Sequence, residues 1–337
     1  MTPSSIPHQF IDRETGSITT ERLIADPLIN RIYSRHRENP SLLFKAATSC
    51  RMSAILGFLN FDLPFPIKRA KRYNQMRNLG INLDECVDNP ENLNTPRKLF
   101  ERKIRYWQCR PMPSATERVV SPADSRMIVG SFDNSDSLFL KKKFFSYHEL
   151  IGTEKKDWID AFDGGDFALF RLTPDKYHYN HTPVAGRVTD IYTIDGRCHS
   201  CNPSAVIAMV TPFSKNRRVV TVIDTDVPGG SGIGLVAMIE IVAMMIGDIV
   251  QCYSTHGYDD PLDILPGMFL ERGCPKSLYR PGSSVDVLIF QKGRVLFSED
   301  ILTNMRRQDA TSRYTMCFQS PLVETDVKVR SEIGRKA

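Results

Sequence analysis

The chain has 337 residues, with 44 Lys and Arg against 39 Asp and Glu and a net charge of +5. With 41% hydrophobic residues, 25% charged residues and a mean hydropathy of −0.27, its composition is that of a folded globular protein with a buried core. This excludes disordered, collagen-like and membrane-embedded classes; the small positive charge is too weak to indicate nucleic acid and suits loose contact with an anionic surface.

The first ten residues, Met1–Phe10, contain no basic stretch followed by an apolar core, so no signal peptide is expected. To about Cys109 the pattern is helical: Glu21–Tyr33, Ser41–Asn60 and Pro96–Trp107 carry apolar residues at spacings near three and four. The segment Ala54–Tyr73 begins apolar and aromatic, with Phe58, Phe61 and Phe65. It is broken by Pro64 and Pro66 and ends in Lys68, Arg69, Lys71 and Arg72. Such a segment suits a membrane interface, aromatic rings down and basic groups at the headgroups. An ordinary core-packed helix followed by a solvated loop satisfies the same residues, and Lys141–Lys143 reads as a solvated loop.

From Val119 onward, short β-rich runs alternate with turn residues: RMIVGSF, FALFRL, GRVTDIYTI, AVIAMV, RVVTVIDTDV, VDVLIF and RVLFSED. The expected fold class is therefore α+β. An N-terminal helical region, residues 1–110, has a candidate membrane-interface or substrate-binding role, and a β-rich, antiparallel sandwich- or barrel-like domain follows over 111–337. Ile233–Val250 fits either a strand or a helix. Its apolar part, Ile233–Gly247, is broken by Glu240 and is shorter than the ~20 residues of a spanning helix. The tail after Asn304 is charged and is expected to be partly disordered. The eight cysteines are expected to be mostly free thiols in a reducing compartment.

Three places carry candidate chemistry. Gly282-Ser283-Ser284 directly precedes the strand Val285–Phe290. A glycine in a tight turn tolerates strained backbone and exposes its carbonyl. The next hydroxyl can then turn the amide into an ester, and β-elimination and hydrolysis leave a pyruvoyl group. Taken alone, the same residues are an ordinary turn. Phe167–Gly186 supplies His178 and His181 around Tyr179 and Asn180. Two histidines three apart suggest metal, but no third ligand is fixed nearby. Alternatively, one is a general base. Ser121-Pro122-Ala123-Asp124 offers an aspartate that can orient an imidazole.

In this order, these segments resemble the phosphatidylserine decarboxylase family over about Val119–Glu299. SPAD at 121–124 is similar to the family's SPADG. FRLTPDKYHYNHTPVAG at 170–186 is similar to a strand followed by YHxxHxPxxG, and RVVTVIDTD at 218–226 to RVxxxFDTE. ERGCPKSLYRPGSS at 271–284 resembles the approach to the family's Gly-Ser processing site. The chain departs from the pattern at Ser125, at Ala185 and over Cys274-Pro275-Lys276-Ser277, all in loops that bear on the substrate.

The resemblance implies self-cleavage between Gly282 and Ser283. Ser283 is then nucleophile and precursor of the pyruvoyl cofactor, His181 the base that takes its proton, and Asp124 the group that holds the His181 tautomer. His178 is implied in substrate binding or proton transfer. The implied reaction converts phosphatidylserine to phosphatidylethanolamine and carbon dioxide through a Schiff base, with no external cofactor and no metal. The implied partners are the phospholipid, or an amino acid, as substrate; a peripheral contact with the cytoplasmic membrane face; and a homodimer of cleaved heterodimers. No nucleic acid is expected. A soluble decarboxylase of a free L-amino acid, aromatic ones included, is the alternative within the family, and a non-enzymatic binding protein of the same fold is the alternative outside it.

Two further motifs are decoys. Gly229-Gly230-Ser231-Gly232-Ile233-Gly234 lacks the spacing and lysine of a phosphate loop and reads as a strand connection. Cys198-His199-Ser200-Cys201 is a CxxC without a matching second pair and reads as two thiols in a loop.

Overall fold

Val-, Ile-, Leu- and Phe-rich runs form most strands of the computed structural model, which describes residues 6–23, 80–133, 146–197, 199–208, 213–243, 248–282, 284–318 and 320–337. The strands are β1 (Gln9–Asp12), β2 (Ile18–Thr20), β3 (Arg118–Val120), β4 (Ser125–Ser131), β5 (Asp166–Leu172), β6 (Tyr179–His181), β7 (Gly186–Ile194) and β8 (Arg218–Asp224). They continue with β9 (Leu235–Val242), β10 (Ile249–Gln251), β11 (Phe269–Leu270), β12 (Pro275–Tyr279), β13 (Ser284–Phe290), β14 (Val295–Phe297), β15 (Glu324–Val327) and β16 (Glu332–Lys336).

The main sheet has ten strands in the order β11-β7-β8-β9-β13-β5-β4-β15-β1-β2. Its pairings are antiparallel except for β1 with β15, where Phe10 faces Glu324. Near its middle, β13 pairs along its whole length with both β9 and β5; Ser284 faces Val242 on one side and Leu172 on the other. Both faces are covered, which is why VDVLIF reads as an almost unbroken apolar run. Val285, Val287 and Ile289 pack with Ile239, Ile241 and Leu169 on one face, and Leu288 and Phe290 pack with Met238 and Phe170 on the other. A second sheet, β10-β12-β6, meets the main sheet at Glu240 and Asp286, and a third, β14-β16-β3, adds Val119, Val295 and Ile333 to the second face.

The architecture is α+β and β-rich, and among the described residues the expected N-terminal helical region is not evident. Residues 9–20 form the hairpin β1–β2, turning at Gly16 with φ 69°. Ile11 is buried with Ala310 and Val323, and Phe10 lies under the Arg126 guanidinium, so these side chains join the main sheet and not a helix. The expected helix Pro96–Trp107 is two short ones, Pro96–Phe100 and Tyr106–Cys109. The first is well started, with Pro96 in its first turn and Thr95 accepting from Lys98 N. It stops because Ile104 is drawn into a bridge with Cys86. Most of Glu21–Tyr33, all of Ser41–Asn60 and Ala54–Tyr73 with its basic cluster, and Lys141–Lys143 lie outside the described residues.

Two further readings change. AVIAMV begins as the helix Pro203–Ala208, started by the Asn202 side chain accepting from Ser204 N. The tail after Asn304 is ordered: a helix Arg313–Phe318, then β15 inside the main sheet and β16 inside the third. The stretch Leu235–Val242 is strand. The glycine-rich 229–234 segment joins β8 to β9, with Thr225 bonded to Gly234. Among the described residues no helix is long and apolar enough to cross a membrane.

Candidate active site

Backbone pairing brings the sequence-predicted segments together. His181 N donates to Pro122 O at 2.7 Å, which places the SPAD turn beside β6, and Tyr279 N donates to His178 O at 3.1 Å, which places the approach to residue 282 beside the first histidine. Asp124, His178 and His181 are all buried.

His181 is fixed from both sides of its ring. Nδ1 lies 2.9 Å from Gly273 O, an acceptor only, so Nδ1 carries the proton and the Nε2 lone pair faces the Tyr177 hydroxyl at 3.0 Å. Gly273 adopts φ 76°, and a Cβ there would lie 2.4 Å from the Met112 sulfur, so the carbonyl that sets the tautomer depends on a glycine. Burial pushes the imidazole down to about 3, against a counteracting pull from the Gly273 carbonyl, and the ring is neutral.

Asp124 does not make the expected hydrogen bond to His181. Arg110 grips it with a fork, Nε to Oδ1 at 2.9 Å and Nη2 to Oδ2 at 2.7 Å, and Val329 N donates to Oδ1 at 2.8 Å. Burial alone would raise its carboxyl, and Arg110 outweighs that and holds it below the usual range. The carboxylate is thus a buried, ionised charge near His181 whose lone pairs are engaged elsewhere.

His178 stacks on Phe100 with ring centroids 3.5 Å apart, and neither ring nitrogen has a hydrogen-bond partner among the described residues. Burial, with Arg102 adding to it, holds it neutral. Tyr106 stands edge-on to His181 at 4.7 Å. Phe100 and Tyr106, both from residues 96–110, therefore cover the two histidines.

Ser283 and Cys198 lie outside the described residues. The flanks of Ser283 are described: Gly282 has φ 154°, backbone that side chains rarely adopt, and the buried Ser284 Oγ has no partner among the described residues.

Sequence reasoning gave no site role to several neighbours: Tyr177 and Gly273 lie inside the quoted motifs and Phe100 and Tyr106 inside the helical pattern, and Arg110 carried no signal at all. A second group carried one: Glu240 interrupts an apolar run and Asp286 interrupts VDVLIF. They face each other across β9 and β13. Lys276 Nζ lies 2.7 Å from Glu240 Oε2 and 3.0 Å from Gln251 Oε1. Asn180 Nδ2 donates to Glu240 at 3.1 Å and to Asp286 at 3.2 Å, and Ser277 Oγ donates to Glu240. Tyr279 Oη donates to Asp286 Oδ1 at 2.6 Å.

Elsewhere, His8, Glu21 and Glu324 place ligand-type atoms within 4.8 Å of one another. The Arg171 guanidinium already lies against both carboxylates, so the cation of this cluster is an arginine.

Comparison with known proteins agrees with the motifs. Residues 97–313 match the family model described as phosphatidylserine decarboxylase. The chain is 27% identical over 297 residues to the phosphatidylserine decarboxylase proenzyme of Ruminiclostridium cellulolyticum, covering 87% of this chain and 91% of that protein. It is 24% identical over 307 residues to the proenzyme of Fusobacterium nucleatum, covering 91% and 95%. It is 27% identical over 331 residues to phosphatidylserine decarboxylase proenzyme 3 of Schizosaccharomyces pombe, covering 96% of this chain and 30% of that one.

Proposed function

Because this chain belongs to the phosphatidylserine decarboxylase family, we propose that it splits its own backbone at the Gly282–Ser283 bond and then decarboxylates phosphatidylserine to phosphatidylethanolamine. The observation that carries the reading is a family match spanning both histidines and the turn at 282–283.

The Ser283 hydroxyl oxygen adds to the Gly282 carbonyl carbon. The C–N bond between the two residues breaks, and the hydroxyl proton passes by way of His181 Nε2 to the departing nitrogen. Loss of the Ser283 Cα proton then breaks the Cβ–O bond of the resulting ester and frees the Gly282 carboxylate. Water replaces the nitrogen, which leaves as ammonia. His181 suits the base because its Nδ1 proton is pinned and its Nε2 lone pair is exposed to a proton donor. Asp124 stabilises the imidazolium by charge and not by a direct bond, since its oxygens are held by Arg110 and Val329.

The buried Ser284 Oγ and both nitrogens of His178 lack partners among the described residues, which supports a polar group such as a pyruvoyl being held by them. When formed, that group supplies a ketone that acts as an electron sink for loss of carbon dioxide from the substrate's α-carbon. His178 binds the headgroup or returns the proton. Residues 1–110 form the substrate-binding or membrane-facing part, supported by Phe100 and Tyr106 over the two histidines, and 111–337 the catalytic part. The net charge of +5 and the composition of Ala54–Tyr73 support peripheral attachment to the cytoplasmic membrane face. The family resemblance supports a dimer of cleaved heterodimers.

Carbon dioxide release from phosphatidylserine vesicles, set beside a panel of free L-amino acids, tests the substrate. Turnover of the vesicles alone is expected; turnover of an amino acid with none of the lipid overturns the lipid reading.

A further inference from the structure

The self-cleavage proposed above requires the turn 280–283 to be held still, and the structure contains a device at its base. The turn connects β12, in the second sheet, to β13, in the main sheet, so no strand ladder joins its two arms. What joins them is Tyr279. Its hydroxyl lies 2.6 Å from Asp286 Oδ1 and 3.0 Å from Val285 O, and accepts from Ile241 N at 3.0 Å. Asp286 is met from the other side by Asn180, which also reaches Glu240, and Glu240 is fixed by Lys276. Tyr279, Asp286, Glu240, Lys276 and Asn180 are all buried.

We propose that Tyr279 and Asp286 are positioning residues: a clamp, backed by Asn180 and the Glu240–Lys276 pair, that presents the Gly282–Ser283 bond for cleavage and afterwards ties the two new chain ends together. The inference rests on cleavage at that bond. Tyr279 stands three residues before Gly282 and Asp286 three after Ser283, so cutting puts Tyr279 on the large chain and Asp286 on the small one. The hydrogen bond then becomes a contact between chains beside the new end.

The clamp uses Asp286 as a neutral acid. Two carboxylates directly opposite on adjacent strands cannot both be ionised in a dry site with one lysine. Lys276 and the donors of Ser277 and Asn180 converge on Glu240, which they hold ionised against burial. Burial together with the Glu240 charge pushes Asp286 well above the carboxylate range, and its Oδ2 has no partner among the described residues. An amide of the same shape should therefore replace it.

The test follows the splitting of freshly made precursor on denaturing gels, with the thermal midpoint of the soluble fraction measured in parallel. Tyr279→Phe and Asp286→Ala are expected to split at least about tenfold more slowly while still soluble, and Asp286→Asn to split within about twofold of the wild type. In mature Tyr279→Phe protein kcat should fall with KM held. If soluble Tyr279→Phe splits at the wild-type rate, or Asp286→Asn is as slow as Asp286→Ala, the clamp is wrong. If Tyr279→Phe is insoluble, the two Asp286 variants decide alone. A wild-type chain that never splits overturns the cleavage reading instead, which keeps the two failures apart.

Discussion

Two largely buried charge clusters sit in this molecule, and they are resolved in opposite ways. Around Arg171, at the junction of the N-terminal hairpin with the main sheet, two cations meet two anions. Arg171 contacts Glu21 and Glu324, each at 2.6 Å, Arg126 contacts Glu21, and His8 Nε2 lies 2.7 Å from Glu324. At the base of the turn before Ser283, two carboxylates share one lysine, and the excess acid keeps its proton. The first cluster is balanced in charge, each carboxylate facing at least one arginine, as expected of a group that fastens a strand. The second holds a neutral acid with an unpartnered oxygen three residues from the bond the chain is proposed to break. A buried ion pair with matched charges reports on folding, whereas unmatched polar atoms beside a turn point to chemistry.

The largest expected effect separates chemistry from both clusters. Ser283→Ala should abolish splitting and all decarboxylation while leaving the thermal midpoint within a degree or two; a large stability loss would show that residue 283 belongs to the fold. His181→Ala should slow splitting by about 10²–10⁴-fold, the usual contribution of a general base, read from the rate of precursor loss. Arg171→Met leaves Glu324 buried without its arginine and Glu21 with Arg126 alone. It should cost about 3–5 kcal/mol in denaturant unfolding and affect splitting only through folding.

Acid should attack the balanced cluster and His181 over successive windows. Burial pushes His181 down to about 3 in the fold, whereas an unfolded imidazole takes its proton near 6.5, so stability falls as pH drops below about 6.5. For Glu21, burial alone would raise the carboxyl, but Arg171 and Arg126 hold it at about 2 against 4.5 unfolded. Its contribution is full above 4.5 and is lost as pH falls towards 2. Urea unfolding at stepped pH should show both; a curve flat from pH 6.5 to 4.5 contradicts the first, and one with no further loss from pH 4.5 to 2 contradicts the second.

The smallest effect has the opposite sign. Asp286 must hold a proton in the fold that the unfolded chain gives up above about 3.8, so it weakens the fold as pH rises. Asp286→Asn should therefore raise the thermal midpoint at pH 8, whereas Glu324→Gln lowers it.

The motifs were legible because they are short and local: SPAD, the two histidines and the approach to Ser283 each sit in a few consecutive residues. The strands β5, β8 and β13 were legible because each is a nearly continuous apolar run, which on β13 reflects burial on both faces, and β7 because it is rich in β-branched residues that alternate with polar ones. The rest depended on distant pairing. Nothing near Gln9–Asp12 announces a parallel partner at Glu324–Val327, so a hairpin was read as part of a helical region. Nothing near His181 announces that Gly273, and not Asp124, accepts from its Nδ1. Glu240 and Asp286 were visible as polar residues in apolar runs, but their meaning required knowing that β9 and β13 are neighbours.

The central claim is tested most directly by the intact mass of the denatured native protein, purified without prior reduction or amine treatment. The account predicts two chains, residues 1–282 ending in a free carboxylate and residues 283–337 beginning with a pyruvoyl group in place of the serine. A single intact species of 38.3 kDa that decarboxylates phosphatidylserine would contradict it.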